Sequence, residues 1–159
     1  MENCALNLNY CAGINCIESF IPKDCRVITI IDANIAERYG KYFPQPQISV
    51  VASEENKSLQ NVERLSLQLL DMGADRSSFL LAVGGGIISD LTGFIGSVYM
   101  RGIKFAYVPT TLLAQADAAI GGKTAVNLGG YKNILGVVNQ PAYTLFCPDF
   151  LDTLPAKEM

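Results

Sequence analysis

Short apolar runs alternate along this chain with stretches of helical periodicity. Residues 26–31 read R-V-I-T-I-I, a β-branched run that ends at Asp32 and predicts a buried strand. Residues 35–42 carry a helical pattern that stops before Pro44. Residues 47–51 predict a second short strand. Ser53 then opens a helix with Leu59, Val62, Leu65 and Leu69 on one face and Gly73 as its C-terminal cap. Residues 79–83 predict a third buried strand, which runs directly into Gly84-Gly85-Gly86. The next helix is expected to face Ile87, Ile88, Leu91, Phe94, Ile95 and Val98 inward. Gly93, Gly96 and Ser97 give it a second side of small residues that permits close packing. Residues 103–108 predict a fourth strand, cut by Pro109; Thr110 begins another short helix, and 142–147 form a further strand.

Strand alternating with helix is the pattern of a parallel sheet covered on both faces. The fold class expected is therefore α/β, Rossmann-like, with a mostly parallel sheet. Ligands of such sheets bind outside the carboxyl ends of the strands. Asp32, Ser53, Gly84 and Pro109 all follow strands. The segment 121–136 breaks the pattern: it is glycine-rich, with two lysines and two asparagines and little periodicity. It reads as either a disordered excursion or a binding loop.

Composition narrows the function classes. The 159 residues suit one domain, and with half of them apolar and 17% charged the chain is not disordered. The net charge is −3 and no cluster of Lys or Arg appears, which argues against a nucleic-acid surface. There is no histidine, so this chain alone builds no Ser-His-Asp triad, Cys-His pair or His-ligated metal site. Cysteines stand at 4, 11, 16, 25 and 147, without C-x-x-C spacing. They read as reduced thiols of a cytoplasmic protein, the alternative being a redox-sensitive N-terminal segment. Residues 1–9 lack the features of a signal peptide, and no apolar run reaches the roughly 20 residues of a membrane span.

Several residues could carry chemistry, each with a plain structural alternative. A strand running into three glycines and a helix can cradle a pyrophosphate on free N–H groups, or can be merely a tight turn. The spacing is not G-x-G-x-x-G. Asp90 is either a first-turn acid on the helix dipole or an acceptor for a ligand hydroxyl. Asp32 is a ribose-binding carboxylate or an ordinary turn acid. Glu54 and Lys57 are site residues or an i, i+3 surface pair. Arg101 can fork onto a phosphate, even across a subunit boundary, or is a solvated turn residue. Thr110 and Thr111 offer two hydroxyls, and helix capping accounts for one of them. Asp117 is a lone acid among alanines. Lys123 and Lys132-Asn133 put two cations near two acids in the glycine-rich segment, which suits a phosphorylated, hydroxyl-rich substrate or a solvated loop.

The segments G-G-G-I-I-S-D-L-T-G-F, Y-M-R-G, V-P-T-T-L-L-A-Q-A-D, G-G-K-T-A-V-N and K-N-I-L-G stand in this order and resemble the 3-dehydroquinate synthase family. The similarity is strong over 84–155 and weaker before it. These motifs are specific to sugar-phosphate cyclases as a group. Iron-dependent alcohol and glycerol dehydrogenases share the glycine turn and aspartate, but not M-R-G or the long P-T-T-L-L-A-Q block. Ser53 stands where the family usually has glycine, Ala118-Ala119 where serine is frequent, and Gly129-Gly130-Tyr131 where Pro and Gly are commoner.

The resemblance implies an enzyme of two domains, with residues 1–159 as the NAD-binding α/β domain. It implies conversion of 3-deoxy-D-arabino-heptulosonate 7-phosphate to 3-dehydroquinate, with bound NAD used catalytically and phosphate released. By position, Asp32 and Asn34 would hold the adenosine end. Glu54, Lys57, Gly85, Gly86, Ile87, Asp90, Thr110, Thr111, Lys123, Lys132 and Thr153 would make further cofactor contacts. Arg101, Asp117, Lys123, Lys132 and Asn133 would serve the substrate, with Arg101 reaching from a neighbouring subunit of a homodimer. The family's divalent metal, zinc or cobalt, is held by a glutamate and two histidines that would lie beyond Met159 in a helical domain. The expectation is a chain that binds NAD weakly and turns over nothing alone. Two other readings stay open: a related cyclase or alcohol-dehydrogenase-like oxidoreductase, and a nucleotide-binding domain without catalysis.

Overall fold

The computed structural model describes residues 6–154 of the chain. Cys4, the chain start over 1–5 and the chain end over 155–159 lie outside the described residues. The elements in order are β1 (Leu8–Tyr10), β2 (Val27–Asp32), α1 (Ala33–Tyr39), β3 (Gln47–Val50), α2 (Leu59–Asp71), β4 (Phe79–Gly84), α3 (Gly86–Val98), β5 (Lys104–Pro109), β6 (Lys123–Leu128), β7 (Tyr131–Val138) and β8 (Thr144–Phe146). A 3-10 turn over Ile14–Phe20, a π turn over Ala114–Ala118 and a 3-10 turn over Pro148–Thr153 complete the site-bearing parts.

Six strands form one parallel sheet in the order β1-β8-β5-β4-β2-β3. Side chains alternate between faces with period two, so each central strand feeds two cores. Ile28 and Ile30 of β2 and Leu80 and Ala82 of β4 face α2 and α3. Val27, Ile31, Phe79, Leu81 and Val83 face the other way, onto Ile14, Ile17, Phe43 and Phe150. Thr29 of β2 is fully buried, and its hydroxyl donates to the Pro44 carbonyl at 3.0 Å. No helix of the described residues is long and apolar enough to cross a membrane.

Three expectations need correction. The helix expected from Ser53 begins at Leu59, because Ser58 is its N-cap: the Ser58 hydroxyl accepts from the Asn61 N–H at 3.4 Å. Residues 53–57 instead close short turns, with the Asn56 N–H on the Ser53 carbonyl at 3.0 Å and the Lys57 N–H on the Glu54 carbonyl at 3.3 Å. On α3, Val98 is exposed and Ile87 and Phe94 are half-buried, whereas Ser89, Thr92, Gly93 and Gly96 are buried. The small-residue side is thus as covered as the apolar side, because β5 and the β6–β7 pair pack against it.

The glycine-rich stretch is neither disordered nor an open loop. It is an antiparallel hairpin, β6 with β7, closed at Leu128↔Tyr131. Gly129 and Gly130 have φ of +56° and +84°, the two left-handed residues that a type I′ hairpin turn requires. A side chain at Gly136 would overlap the Thr124 carbonyl oxygen. The N-terminal segment, which carries little sequence signal, adds the edge strand β1 beside β8, with Leu8↔Thr144 and Tyr10↔Phe146 in register.

Gly93 marks the tightest helix–sheet contact. A Cβ there would overlap the Tyr107 hydroxyl and approach the Thr124 methyl to 2.6 Å. Gly93→Ala is expected to destabilise the fold by about 2–3 kcal/mol through overpacking. The Tyr107 hydroxyl is buried without a hydrogen-bond partner, so adding Tyr107→Phe should recover part of that loss. Urea midpoints of the two single variants and the double variant measure the coupling.

Candidate functional site

The sheet has a topological switch point. From β2 the chain passes through α1 to β3 on one side, then crosses back to β4 on the other. α1 packs on one face of the sheet and α3 on the other. The connections after β2 and β4 therefore diverge and leave a crevice outside their carboxyl ends. Asp32 stands at the end of β2 and Gly84 at the end of β4, one residue beyond the pair Ile31↔Val83.

The β4–α3 connection is built for close approach. A side chain on Gly84 would come within 2.6 Å of Ile88, and one on Gly85 within 3.1 Å of Thr111. A Cβ added at Gly86 would likewise lie 3.1 Å from the Ala118 Cβ. Gly85 caps α3 without any side-chain hydrogen bond. The first N–H groups of a helix have no intrahelical acceptor, so those of Gly86 and Ile87 are left for an anion at this end of α3.

Beside this turn lies a cavity of about 370 Å³ lined by Asp32, Asn34, Ile35, Glu37, Arg38, Thr110, Thr111, Thr153 and Leu154. Asp32 Oδ1 accepts from the Asn34 N–H at 2.9 Å and caps α1. The Thr110 N–H donates to the Gly84 carbonyl at 3.0 Å, which ties the two strand ends together. Thr111 is the hydroxyl explained by capping: its Oγ1 accepts from the Ala114 N–H at 3.2 Å. Five of the residues singled out in the sequence (Asp32, Asn34, Thr110, Thr111 and Thr153) therefore share one cavity.

Glu54 and Lys57 do not pair with each other. Lys57 is 5% exposed, and its Nζ lies 2.5 Å from Asp90 Oδ2 and 2.6 Å from Asn133 Oδ1. One buried ammonium thus joins the segment after β3, helix α3 and the hairpin. Burial pushes the Asp90 carboxyl above its ordinary value, and the neighbouring Lys57 pulls it only part of the way back. Glu54 is exposed and sits below the usual carboxylate range, chiefly because it accepts from Asn127 Nδ2 at 2.9 Å.

A second cavity, about 530 Å³, is lined by Asp90, Asp117, Ala118, Lys123, Thr124, Asn133 and Ile134. It brings Asp90, Asp117, Lys123 and Asn133 together. Lys132 is not among them: it lies 3.7 Å from Glu54 and lines a separate cavity of about 380 Å³ with Glu54, Asn127 and Gly130, while its neighbour Asn133 leaves the extended conformation with φ of +56°. Arg101 is also separate. It follows the C-terminal end of α3, about 20 Å of helix away from the glycine turn, and is exposed with φ of +69°. A further cavity, about 500 Å³ between Ile14 and Phe43, contains none of the candidate residues.

Two residues escape sequence reasoning. Asn127 bridges Glu54 to the Asn133 N–H, which its Oδ1 accepts at 2.9 Å, and its own N–H donates to the Lys57 carbonyl at 2.8 Å. Gln115 anchors the π turn that carries Asp117, donating to the Pro109 carbonyl at 3.2 Å and the Cys147 carbonyl at 3.4 Å. Both stand inside quoted motifs, but nothing in their spacing reveals partners more than 30 residues away. Among the described residues, no group of three His, Cys, Asp or Glu is placed to hold a metal ion.

The family model described as 3-dehydroquinate synthase N-terminal matches residues 47–159. Over 159 aligned residues the chain is 39% identical to the 3-dehydroquinate synthase of Natranaerobius thermophilus, covering 93% of this chain and 43% of that protein. A solved structure of 2-deoxy-scyllo-inosose synthase, complexed with carbaglucose-6-phosphate, NAD+ and Co2+, matches with a TM-score of 0.82 at 31% identity, over 96% of this chain and 45% of that one. The 2-epi-5-epi-valiolone synthase of Streptomyces hygroscopicus, with NAD+ and Zn2+ bound, matches with a TM-score of 0.86 at 27% identity, over 99% and 47% of the respective chains. The chain thus spans less than half the length of these relatives.

Replacing Lys57 by Met leaves the Asp90 carboxylate enclosed without its cation, and is expected to cost about 3 kcal/mol at neutral pH. Adding Asp90→Leu should recover most of it. Because the folded-state value of Asp90 lies above its unfolded value, the native state takes up the proton first as pH falls. The penalty of Lys57→Met should therefore shrink as pH drops through the folded-state value, a trend that urea denaturation at several pH values measures. Glu54 titrates in the opposite sense: its folded value is depressed, so its contribution is present above the unfolded value and lost as pH falls through the folded one. Asn127→Ala should move the Glu54 midpoint upward in a carboxyl NMR titration.

Proposed function

The chain belongs to the 3-dehydroquinate synthase N-terminal family, and from that premise we propose that it is the NAD-binding α/β half of a sugar-phosphate cyclase. The observation that carries this reading is the switch-point crevice. An uncapped helix start with no side chain on Gly85 or Gly86 adjoins a cavity holding Asp32, Asn34, Thr110 and Thr111. Those residues fit a dinucleotide. The N–H groups at the start of α3 meet the pyrophosphate, Asp32 accepts from ribose hydroxyls, and Asn34 and Thr153 border the adenosine end. Asp90, held by Lys57, faces the nicotinamide half. Bound NAD supplies a hydride acceptor and donor.

In this reading the second cavity takes the sugar phosphate. Lys123 supplies a cation, Asn133 a hydrogen-bonding amide, and Asp117 and Asp90 accept from hydroxyls. Lys132 begins on the Glu54 side of the hairpin and serves from there. Arg101, being at the far end of α3, serves a neighbouring subunit of a homodimer. The reaction is conversion of 3-deoxy-D-arabino-heptulosonate 7-phosphate to 3-dehydroquinate with release of phosphate. The described residues offer no group of three His, Cys, Asp or Glu that fits a metal ion. The metal and its helical domain belong, in this proposal, to a part of the protein outside these residues, without which substrate is not turned over. Val138, which lines the second cavity, is exposed, as are the apolar side chains of Leu113 and Tyr131, and a covering partner would bury such surface. The 31% identity to 2-deoxy-scyllo-inosose synthase supports a second reading, the same chemistry on another sugar phosphate.

Calorimetric titration of NAD into the chain should give a binding heat. Asp32→Ala and Asp90→Ala should each weaken affinity by roughly 10–100-fold, as expected for loss of a charge-assisted hydrogen bond. Heats equal to wild type in both variants would sink the cofactor assignment. Phosphate release by the full-length protein from the heptulosonate phosphate, compared with glucose 6-phosphate, separates the two substrate readings.

A further inference from the structure

At the sheet edge the two shortest strands place two cysteines side by side. β1 and β8 are parallel with Tyr10 opposite Phe146, and the next residue on each strand is Cys11 or Cys147. The ladder continues past the last pair, since the Cys11 N–H donates to the Phe146 carbonyl at 3.0 Å. Neighbouring strands lie about 4.8 Å apart, inside the span of about 4.4–6.8 Å between Cα atoms that a disulfide bridges. Both side chains point into the same apolar cluster, with Ile17 and Phe150, and are 5% and 0% exposed. The Cys11 thiol donates to the carbonyl of Phe146, the residue before Cys147, at 3.5 Å.

We propose that Cys11 and Cys147 are an oxidation site: a reversible disulfide that staples the edge strand β1 to β8. The proposal is independent of the nucleotide reading. The oxidant is a small-molecule disulfide. Cys11, as thiolate, attacks it to give a mixed disulfide and releases one small thiolate. Cys147 then attacks the Cys11 sulfur, the protein S–S bond forms, and the second small thiolate leaves. The two protein thiols lose two electrons and two protons, and the small disulfide gains both as two thiols.

Burial sets the rate. It pushes both thiols up, Cys147 to about 12, so the docked strand holds too little thiolate to react. The reaction instead proceeds through opening of β1, a three-residue edge strand. Once formed, the bond closes a loop from 11 to 147, nearly the whole chain, and restricts the unfolded state accordingly. It also fixes Cys147, whose carbonyl receives the Gln115 amide of the turn carrying Asp117. Cys16 is exposed and is the competing target.

The test is to hold the purified chain in oxidised glutathione, block free thiols by alkylation, and map peptides without reduction. The expected product links the Cys11 peptide to the Cys147 peptide, forms faster in sub-denaturing urea, and disappears on reduction. Its Tm should rise by roughly 5–10 °C and fall back with reductant. Cys16→Ser should keep both the link and the shift, and Cys147→Ala should lose both. Wild-type mapping alone decides the linkage if the latter variant does not fold. Cys11 and Cys147 recovered as alkylated thiols, a link from either to another cysteine, or a link that leaves Tm unchanged would each overturn the proposal.

Discussion

A strand buried on both faces and both edges must satisfy every backbone N–H and C=O through its neighbours, and β4 is that strand here. All six of its residues are buried, with β2 on one side and β5 on the other, paired in parallel along nearly its whole length. That pairing allows no slippage, because a shift of one residue would exchange Leu80 and Ala82 with Leu81 and Val83 between two different cores. The register in turn brings Gly84 beside Pro109 and level with Asp32, the last residue of β2. The crevice is thus a consequence of central-strand pairing, not of any residue that lines it.

Around that rigid end, the rest of the site hangs from one buried cation. Lys57 is removed from water and compensated by Asp90 and Asn133, which is the condition under which a charge is tolerated at such burial. Its backbone carbonyl also receives the Asn127 N–H, so the same residue holds the hairpin by main chain and side chain. Such a tie contributes less to net stability than to geometry, since desolvation offsets much of the attraction. Its effect is to hold the wall between the cavity of Asp90 and Asn133 and the separate cavity of about 380 Å³ that Glu54 and Lys132 line.

Much of this was legible in the residue order. The strand at β2 and the run into Gly84-Gly85-Gly86 follow from β-branched content and periodicity, and Asp32, Asn34, Thr110 and Thr111 do share a cavity. The start of α2 was not legible, because Ser53 and Ser58 are both plausible caps and only the turns at 53–57 decide between them. Nor was the hairpin: glycine signals a left-handed turn and a flexible loop alike, and the two differ only in whether Thr124 and Val126 find an apolar surface to bury against. β1 was invisible because three residues on an edge carry no periodicity of their own.

The sequence by itself determined the parallel α/β frame, the glycine turn and the family to which the chain belongs, since these rest on local propensity and on contiguous motifs. Only the tertiary structure decided that Lys57 pairs with Asp90 and not with Glu54, that Lys132 and Asn133 line separate cavities, and that Arg101 stands apart from the cavities. The physical reason is the same in each case. A side chain's partner is chosen by which segments the sheet register brings within a few ångströms, and that proximity has no trace in sequence separation.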